Sequence, residues 1–354
     1  MDLSRRDFLG GLCTLAAALA MPGAAGACVP PKMIEVGWHT PEPAALLPSL
    51  AHYEAVAPFD GLVLVLRNNN NRPSTQYTLG YNAWHARLER LDYYSTAINA
   101  LTAVNTQAQR FTENFTDLRA QPGTDDWFQA GAWATNFQQC FNIARVARDS
   151  GCKGIFFDTE SYGSQTPFQF APTTQTLRDP SKTLDEYKAI VRQRGQEFMN
   201  AIQAGFPGLQ VLMTWGYWIA QTNNRYQLLP SFLDGMLDVA TVALYDGYEH
   251  AYGFKSASSF DAALAEFTVG YGSQGAGYGP YYKPGFGLWL DYGRKWSATD
   301  FSLNYFQPAQ WQTSLTLAMA KTTKYVWIYS EAPNWYDGTM PIEYVTATNI
   351  ARVV

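Results

Sequence analysis

The strongest constraint on the fold is a succession of short apolar runs that alternate with polar or helical segments along most of the chain. Runs such as GLVLVL, GIFF and YVWIY are short and almost free of polar residues. Strands that are buried on both faces have this composition, and parallel sheets of α/β proteins bury strands in this way. We predict eight strands, at Met33–Gly37, Gly61–Leu66, Arg110–Asn114, Gly154–Asp158, Gln210–Trp215, Val239–Tyr245, Phe286–Asp291 and Tyr325–Tyr329.

The segments between these runs carry helix signals. Residues 183–186 (TLDE) form a capping box, and Gly205 and Pro207 end the helix that it opens. Asp125–Asp149 has an apolar stripe with helical spacing and is followed by Gly151. Further helices are predicted at Ala44–Val56, Ser259–Phe267 and Pro308–Lys321.

The alternation of eight strands with helices predicts an α/β protein with a single (β/α)8 TIM barrel. The chain has 354 residues, which is enough for one such barrel with a large core. An open, doubly wound sheet is the alternative fold. We find no domain linker, and we interpret the Gly- and Tyr-rich segment 268–285 as a loop before the seventh strand. Residues 28–354 are therefore expected to form one domain.

The sequence at the N-terminus predicts that the protein is exported. Residues 4–9 (SRRDFL) have a twin-arginine pattern, the apolar stretch Leu9–Met21 follows, and Ala25–Ala27 resembles a cleavage site. This stretch is short for a membrane span, and no other segment is apolar enough. We expect residues 1–27 to be a twin-arginine signal peptide that the twin-arginine export machinery recognises, and the mature protein to be periplasmic or secreted. An uncleaved anchor and lipid attachment to Cys28 are the alternatives.

Several other classes of chemistry lack support in the sequence. The net charge of −5 leaves no basic surface for nucleic acid. The four histidines have no zinc-binding spacing, and neither a dinucleotide fingerprint nor a G-x-S-x-G elbow is present. We therefore expect no cofactor and no metal. Beyond Cys28, the mature chain contains Cys140 and Cys152, which either pair or remain buried thiols.

Acidic residues follow most of the predicted strands, where barrel enzymes carry their active sites. Asp158 and Glu160 end the fourth strand, and they point the same way because side chains alternate along a strand. Two carboxyls this close raise the pKa of one of them, and glycoside hydrolysis needs one protonated acid and one carboxylate. The alternative is that one of the two caps a helix or binds an arginine. The other acids at strand ends are Glu113, Asp246, Asp291 and Glu331, and Glu35 lies within the first strand.

Aromatic residues concentrate near the same strand ends. Flat rings with a polar group suit the C–H faces of sugars, although any one of them is as easily part of the barrel core. The predicted substrate-binding residues are Trp38, Asn114, Trp215, Tyr245, Trp289 and Trp327.

The fourth strand resembles that of chitinase-like glycoside hydrolases, whose motif is D-G-x-D-x-D-x-E. Gly154, Asp158 and Glu160 match it, whereas Lys153 and Phe156 stand where the motif has Asp. Tyr245-Asp246 resembles the family's sixth strand, and Trp327 corresponds to a tryptophan beneath the sugar. The resemblance implies that Glu160 is a general acid assisted by Asp158. Four segments also resemble secreted bacterial proteins thought to be glycosidase-like barrels: Pro58–Gly61, Phe111–Phe115, Lys153–Tyr162 and Tyr325–Trp335.

We therefore expect an exported glycoside hydrolase that cleaves O-glycosidic bonds of an oligo- or polysaccharide. Asp246, Asp291 and Glu331 are the candidates for the second carboxylate. One alternative is a sugar-binding barrel without catalysis, in which the acids only accept hydrogen bonds. The other is a metal-dependent hydrolase in which Asp158, Glu160 and Asp246 hold a hard cation.

Overall fold

A computed structural model describes residues 30–69, 78–81, 83–121, 123–160, 166–170, 179–269 and 280–353. The predicted signal peptide (1–27), Cys28 and Tyr162 lie outside these ranges. Within them, nine parallel strands form one sheet in the order β7-β6-β5-β4-β3-β2-β1-β9-β8. The strands are β1 (Lys32–Gly37), β2 (Gly61–Leu64), β3 (Phe115–Arg119), β4 (Gly154–Asp158), β5 (Gln210–Met213), β6 (Leu244–Asp246), β7 (Tyr282–Pro284), β8 (Phe286–Trp289) and β9 (Tyr325–Ser330).

The sheet closes into a barrel because the first strand pairs with the last and β7 and β8 are halves of one bent strand. β1 pairs with β9 from Lys32↔Tyr325 to Gly37↔Ser330. Gly285 alone separates β7, which pairs with β6, from β8, which pairs with β9. A Cβ atom on Gly285 would lie 2.7 Å from the Asp246 carbonyl oxygen, so the bend needs glycine. The predicted (β/α)8 barrel is confirmed, and the open sheet is wrong.

Helices cover the outside of the barrel. The capping box at Thr183 is confirmed: its Oγ1 accepts a hydrogen bond from the Glu186 backbone N–H at 3.2 Å. Pro48 interrupts the helix predicted at Ala44–Val56, which splits into α1 and α2 around a 3-10 turn. The α-helices are α1 (Pro43–Leu46), α2 (Leu50–Val56), α3 (Ser95–Gln107), α4 (Ala130–Asp149), α5 (Leu184–Gly205), α6 (Ile219–Thr222), α7 (Leu229–Asp238), α8 (Ala257–Val269), α9 (Pro308–Lys321) and α10 (Ile342–Arg352). None of the helices in the described ranges has the length and apolarity needed to cross a membrane.

The third strand was predicted wrongly. Residues 110–114 precede β3, which begins at Phe115. Asn114 therefore lies at the amino end of the barrel, where its Oδ1 accepts a hydrogen bond from the Leu62 backbone N–H at 2.9 Å. Its side-chain amide donates to the Phe111 carbonyl at 2.7 Å, which holds the turn before β3.

Two apolar cores stabilise the fold. The larger one lies between the sheet and the helices and includes the two buried free thiols, Cys140 and Cys152. The smaller one fills the barrel interior with Ile34, Val63, Phe115, Phe156, Leu212, Tyr245, Tyr325 and Trp327. Because strand side chains alternate, the residues two positions further along these strands also face inward, at the mouth of the barrel.

Candidate functional site

An open cavity of ≈ 1460 Å³ occupies the mouth of the barrel, at the carboxyl ends of the strands. Its floor is formed by residues of the inner core, including Val63, Phe156 and Trp327. This is the end at which TIM barrels carry their active sites, because the loops after the strands are free to vary there. Two groups of side chains line the cavity: an acidic cluster (Asp117, Asp158, Glu160 and Glu249) and an aromatic wall (Trp38, Tyr252, Trp289, Trp327 and Tyr329).

Asp158 lies at the base of the acidic cluster. Phe156 faces the barrel interior, so Asp158, two residues later, faces the mouth. Its Oδ1 accepts hydrogen bonds from the Glu160 backbone N–H at 2.9 Å and from Thr214 Oγ1 at 3.3 Å. Burial raises the pKa of Asp158, and the positive charge of Arg119 opposes this shift. The carboxyl thus fixes the backbone that presents Glu160 to the cavity.

Glu249 joins Asp158 and Glu160 in the cavity from the loop after β6. A short 3-10 helix, Glu249–Gly253, carries it, and Tyr248 just before it adopts a left-handed φ of 43°. Such strain in a residue other than glycine is typical of functional sites. The Trp215 indole N–H donates a hydrogen bond to Glu249 Oε2, and Tyr252 forms a second bond with the carboxyl.

The pKa of Glu249 is raised well above its usual range. Burial is the main cause, and the negative charges of Glu160 and then Asp158 also contribute. The hydrogen bonds from Trp215 and Tyr252 favour the charged form and oppose the shift. Burial and neighbouring carboxylates both disfavour the charged form of a carboxyl. The surroundings of Glu249 therefore favour its protonated form beside Glu160.

The aromatic wall begins next to Glu249. Tyr252 contacts Trp289, Trp327 and Tyr329, with ring centroids 5.8, 5.6 and 6.0 Å away. The Trp327 indole N–H donates to the Gly247 carbonyl at 3.1 Å, which fixes its ring over the barrel core. Trp38 stands at the rim with 66% of its surface exposed and is hydrogen-bonded to Tyr329. Rings held in this way offer flat apolar faces to a sugar.

Glu331 lines the cavity but is held in an ion pair, and Asp291 supports the loop that carries it. The Arg294 Nε lies 2.8 Å from Glu331 Oε2, and the Tyr329 hydroxyl donates to Oε1 at 3.2 Å. Asp291 is fully buried and accepts hydrogen bonds from the backbone N–H groups of Glu331 and Ala332 at 3.1 and 2.9 Å. The Trp289 indole N–H donates to the same carboxyl at 2.8 Å.

Three other predicted site residues do not line the cavity. Asp246 faces away from the barrel interior: its Oδ2 accepts from the Tyr282 hydroxyl at 2.6 Å, and burial raises its pKa to about 6. Tyr245 faces inward but lies at the amino end, where its hydroxyl donates to Gln210 Oε1 at 3.0 Å. Trp215 lies behind the cavity lining, where its indole N–H donates a hydrogen bond to Glu249.

Sequence reasoning missed Glu249, Asp117 and Arg119. Asp117 and Arg119 lie on the inward face of β3, two and four residues after Phe115, and placing that strand correctly would have identified both. Glu249 lies in a loop whose path no sequence pattern indicates. Among the described residues, no group of three or more His, Cys, Asp or Glu side chains has an arrangement that holds a metal ion.

Comparisons with known proteins support the fold. No family model and no curated protein matches the sequence. Among solved structures, a glucosidase from Croceicoccus marinus matches with a TM-score of 0.51 at 12% identity, over 93% of this chain and 68% of that one. A Bacteroides ovatus GH5 xyloglucanase in complex with a XXXG heptasaccharide matches with a TM-score of 0.50 at 12% identity, over 89% and 68%. A GH18 chitinase from Pseudoalteromonas aurantia is also similar, with a TM-score of 0.44 at 10% identity over 90% and 99%. The first two matches show that the chain shares its TIM-barrel fold with these two proteins.

Proposed function

We propose that the protein is a glycoside hydrolase that cleaves an oligo- or polysaccharide, with Glu160 and Glu249 as the catalytic pair. The observation that supports this most directly is the meeting of these two carboxyls in one cavity beside an aromatic wall. Glycoside hydrolysis requires one carboxyl that protonates the leaving oxygen and one carboxylate on the other side of the sugar. The other predicted carboxyls, Asp246, Asp291 and Glu331, support the surrounding structure in this proposal.

The roles within the pair follow from the environments of the two residues. Glu249 is buried and its pKa is raised well above the usual range, so we assign it the donation of a proton to the leaving oxygen. Glu160 then remains the carboxylate that acts at the anomeric carbon, directly or through water. This assignment differs from the sequence-based expectation, in which Glu160 is the acid. Asp158 holds the backbone of Glu160 in place through its hydrogen bond to the N–H.

The test compares two variants on two kinds of substrate. Wild-type protein is first incubated with a panel of polysaccharides, and reducing ends are measured. Glu249→Gln and Glu160→Gln should each lower the rate on the polysaccharide that is cleaved by about 10²–10⁴-fold, the usual contribution of acid–base catalysis. On an aryl glycoside of the same sugar, Glu249→Gln should retain far more activity, because a good leaving group needs no protonation. Glu160→Gln should lose activity on both substrates.

The control is Glu343→Gln, which removes an exposed carboxylate in the first turn of α10. It should cleave both substrates at the wild-type rate. Loss of less than tenfold in Glu160→Gln on the polysaccharide would contradict the proposal. Tight binding of an oligosaccharide without turnover by wild type would instead indicate a sugar-binding barrel.

We also propose that the protein is exported as residues 28–354. The twin-arginine pattern at residues 4–9 and the A-x-A-like site at Ala25–Ala27 support this. In a host with this export system, the periplasmic protein should begin at Cys28 when its terminus is sequenced. Replacing Arg5 and Arg6 with lysine should leave the unprocessed chain in the cytoplasm. Unchanged processing in that variant would refute the twin-arginine route.

A further inference from the structure

Arg119 lies between two carboxyls of the acidic cluster. Its Nε is 3.3 Å from Asp117 Oδ2, and its NH1 is 3.8 Å from Asp158 Oδ2. The guanidinium also lies 5.7 Å from the centre of the Tyr81 ring. One cation is thus shared between two acids, and it is nearer to Asp117 than to Asp158.

The barrel geometry creates this arrangement. Asp117 and Arg119 are two residues apart on β3, so both face the mouth, and Arg119 is the register partner of Asp158 on β4. Asp117 is 97% buried, and its Oδ1 has no hydrogen-bond partner among the described residues. A buried carboxylate with one unpaired oxygen depends strongly on its remaining partner. Burial raises the pKa of Asp117, and the charge of Arg119, which lies closer to Asp117 than to Asp158, is the main influence that opposes this shift.

The other groups around Asp158 do not replace Arg119. Glu160 offers a backbone N–H and Thr214 a hydroxyl, and neither carries a positive charge at these contacts. Asp117 adds negative charge, which opposes the effect of Arg119 on Asp158. The positive charge of Arg67, which follows β2 in the chain, opposes the rise in the pKa of Asp117. Arg67 also forms an ion pair with Glu42. Among the described cations, Arg119 is the one within ion-pair distance of Asp158.

We infer that Arg119 is a positioning residue that holds Asp158 in its charged form, and that Asp117 limits this effect by competing for the guanidinium. The inference adds to the proposed glycosidase function, in which Asp158 supports Glu160. A charged Asp158 accepts the hydrogen bonds from Glu160 and Thr214. Its negative charge also favours the protonated form of Glu249, so Arg119 acts on the proposed acid through Asp158.

The experiment is a pH titration of the full-length protein labelled with ¹³C at the aspartate carboxyls, followed by NMR, with Asp158→Asn used to assign the Asp158 signal. Arg119→Met should raise the pKa of Asp158 by about one to three units, the usual effect of losing an adjacent arginine. Asp117→Asn should lower it, because an anion is lost and Arg119 is released. Arg119→Lys, which retains the charge, should give a smaller upward shift than Arg119→Met.

Opposite shifts in Arg119→Met and Asp117→Asn would support the inference, because a merely structural role predicts no such pair of signs. Shifts in the same direction, or none, would overturn it. If Arg119→Met does not fold, Arg119→Lys and Asp117→Asn provide the same comparison of signs. The NMR readout needs no turnover, so it remains decisive even if the protein cleaves no glycan. If it does cleave one, the acidic limb of the pH–rate profile should move in the same two directions.

Discussion

Glu35 on β1 is a buried carboxyl that should make the stability of the protein depend on pH. It is fully buried and lies on the outer side of the strand, away from the cavity. Its Oε2 accepts hydrogen bonds from Thr40 Oγ1 at 2.5 Å and the Tyr336 hydroxyl at 2.8 Å, while Oε1 has no partner among the described residues. Burial raises the pKa of Glu35 to about 7, although both hydrogen bonds oppose the shift.

The size of this pH effect on the free energy of unfolding follows from the difference between the pKa of Glu35 in the folded and in the unfolded chain. The pKa of Glu35 is 4.5 for an unperturbed side chain, as in the unfolded chain, and about 7 in the folded protein. Between these values the folded protein binds more protons, so the free energy of unfolding falls as the pH rises through this window. At ~1.4 kcal/mol per pKa unit, the loss is about 3 kcal/mol. Glu35→Gln removes the ionisable group, so this contribution to the pH dependence disappears.

The assay is urea unfolding of wild type and Glu35→Gln at about pH 4 and about pH 8. From about pH 4 to about pH 8, the free energy of unfolding of wild type should fall by about 3 kcal/mol more than that of Glu35→Gln. The dependence of this free energy on urea concentration should be the same in both proteins. Glu343→Gln serves as the control for loss of an exposed carboxylate and should follow wild type. If Glu35→Gln and wild type change in parallel, Glu35 does not titrate in this window and the reasoning is refuted.

Two further predictions concern the substrate. Trp38→Ala should raise KM on the order of tenfold for long oligosaccharides but leave a disaccharide unaffected, because the exposed ring stands at the rim of the cavity. An equal rise for both lengths would place Trp38 at the cleavage site instead. Among the described residues that line the cavity, six are acids and three are arginines. An oligouronate should therefore bind roughly tenfold or more weakly than its neutral counterpart in calorimetry at low salt, and added salt should reduce the difference. Equal affinities would contradict this charge argument.

The strands that were predicted well are those whose side chains are apolar on both faces. β4 begins and ends as predicted, because a glycine and an aspartate bound its apolar run. β3 was misplaced because its inward face carries Asp117 and Arg119, so the strand has the pattern of a polar surface segment. The polar residues that make β3 part of the site are thus also the reason that the apolar pattern does not predict this strand. A site lined by polar side chains breaks the apolar pattern on which strand prediction depends.

The choice of a second carboxylate failed for a different reason. The sixth strand was predicted at Val239–Tyr245 with Asp246 after it, whereas β6 spans Leu244–Asp246. Because Tyr245 faces the barrel interior, Asp246 faces outward and binds Tyr282. Strand position alone does not give the facing of a side chain when the strand has only three residues. Glu249 reaches the cavity because the loop turns through the left-handed Tyr248. The left-handed residue is Tyr248 and not the preceding Gly247, so the glycine in the sequence does not mark the position of the turn, which the hydrogen bond from the Tyr248 N–H to Asp246 Oδ1 at 2.8 Å helps to hold.

The packing inside the barrel connects the fold to the proposed chemistry. Phe156 and Trp327, with ring centroids 5.4 Å apart, fill the interior below the cavity and exclude water from its floor. The acids directly above them lose hydration on one side, which is the main cause of the raised pKa values of Asp158 and Glu249. The apolar runs that predict the barrel therefore also raise the pKa of the acids at its mouth, because they fill its interior with side chains that exclude water from the floor of the cavity.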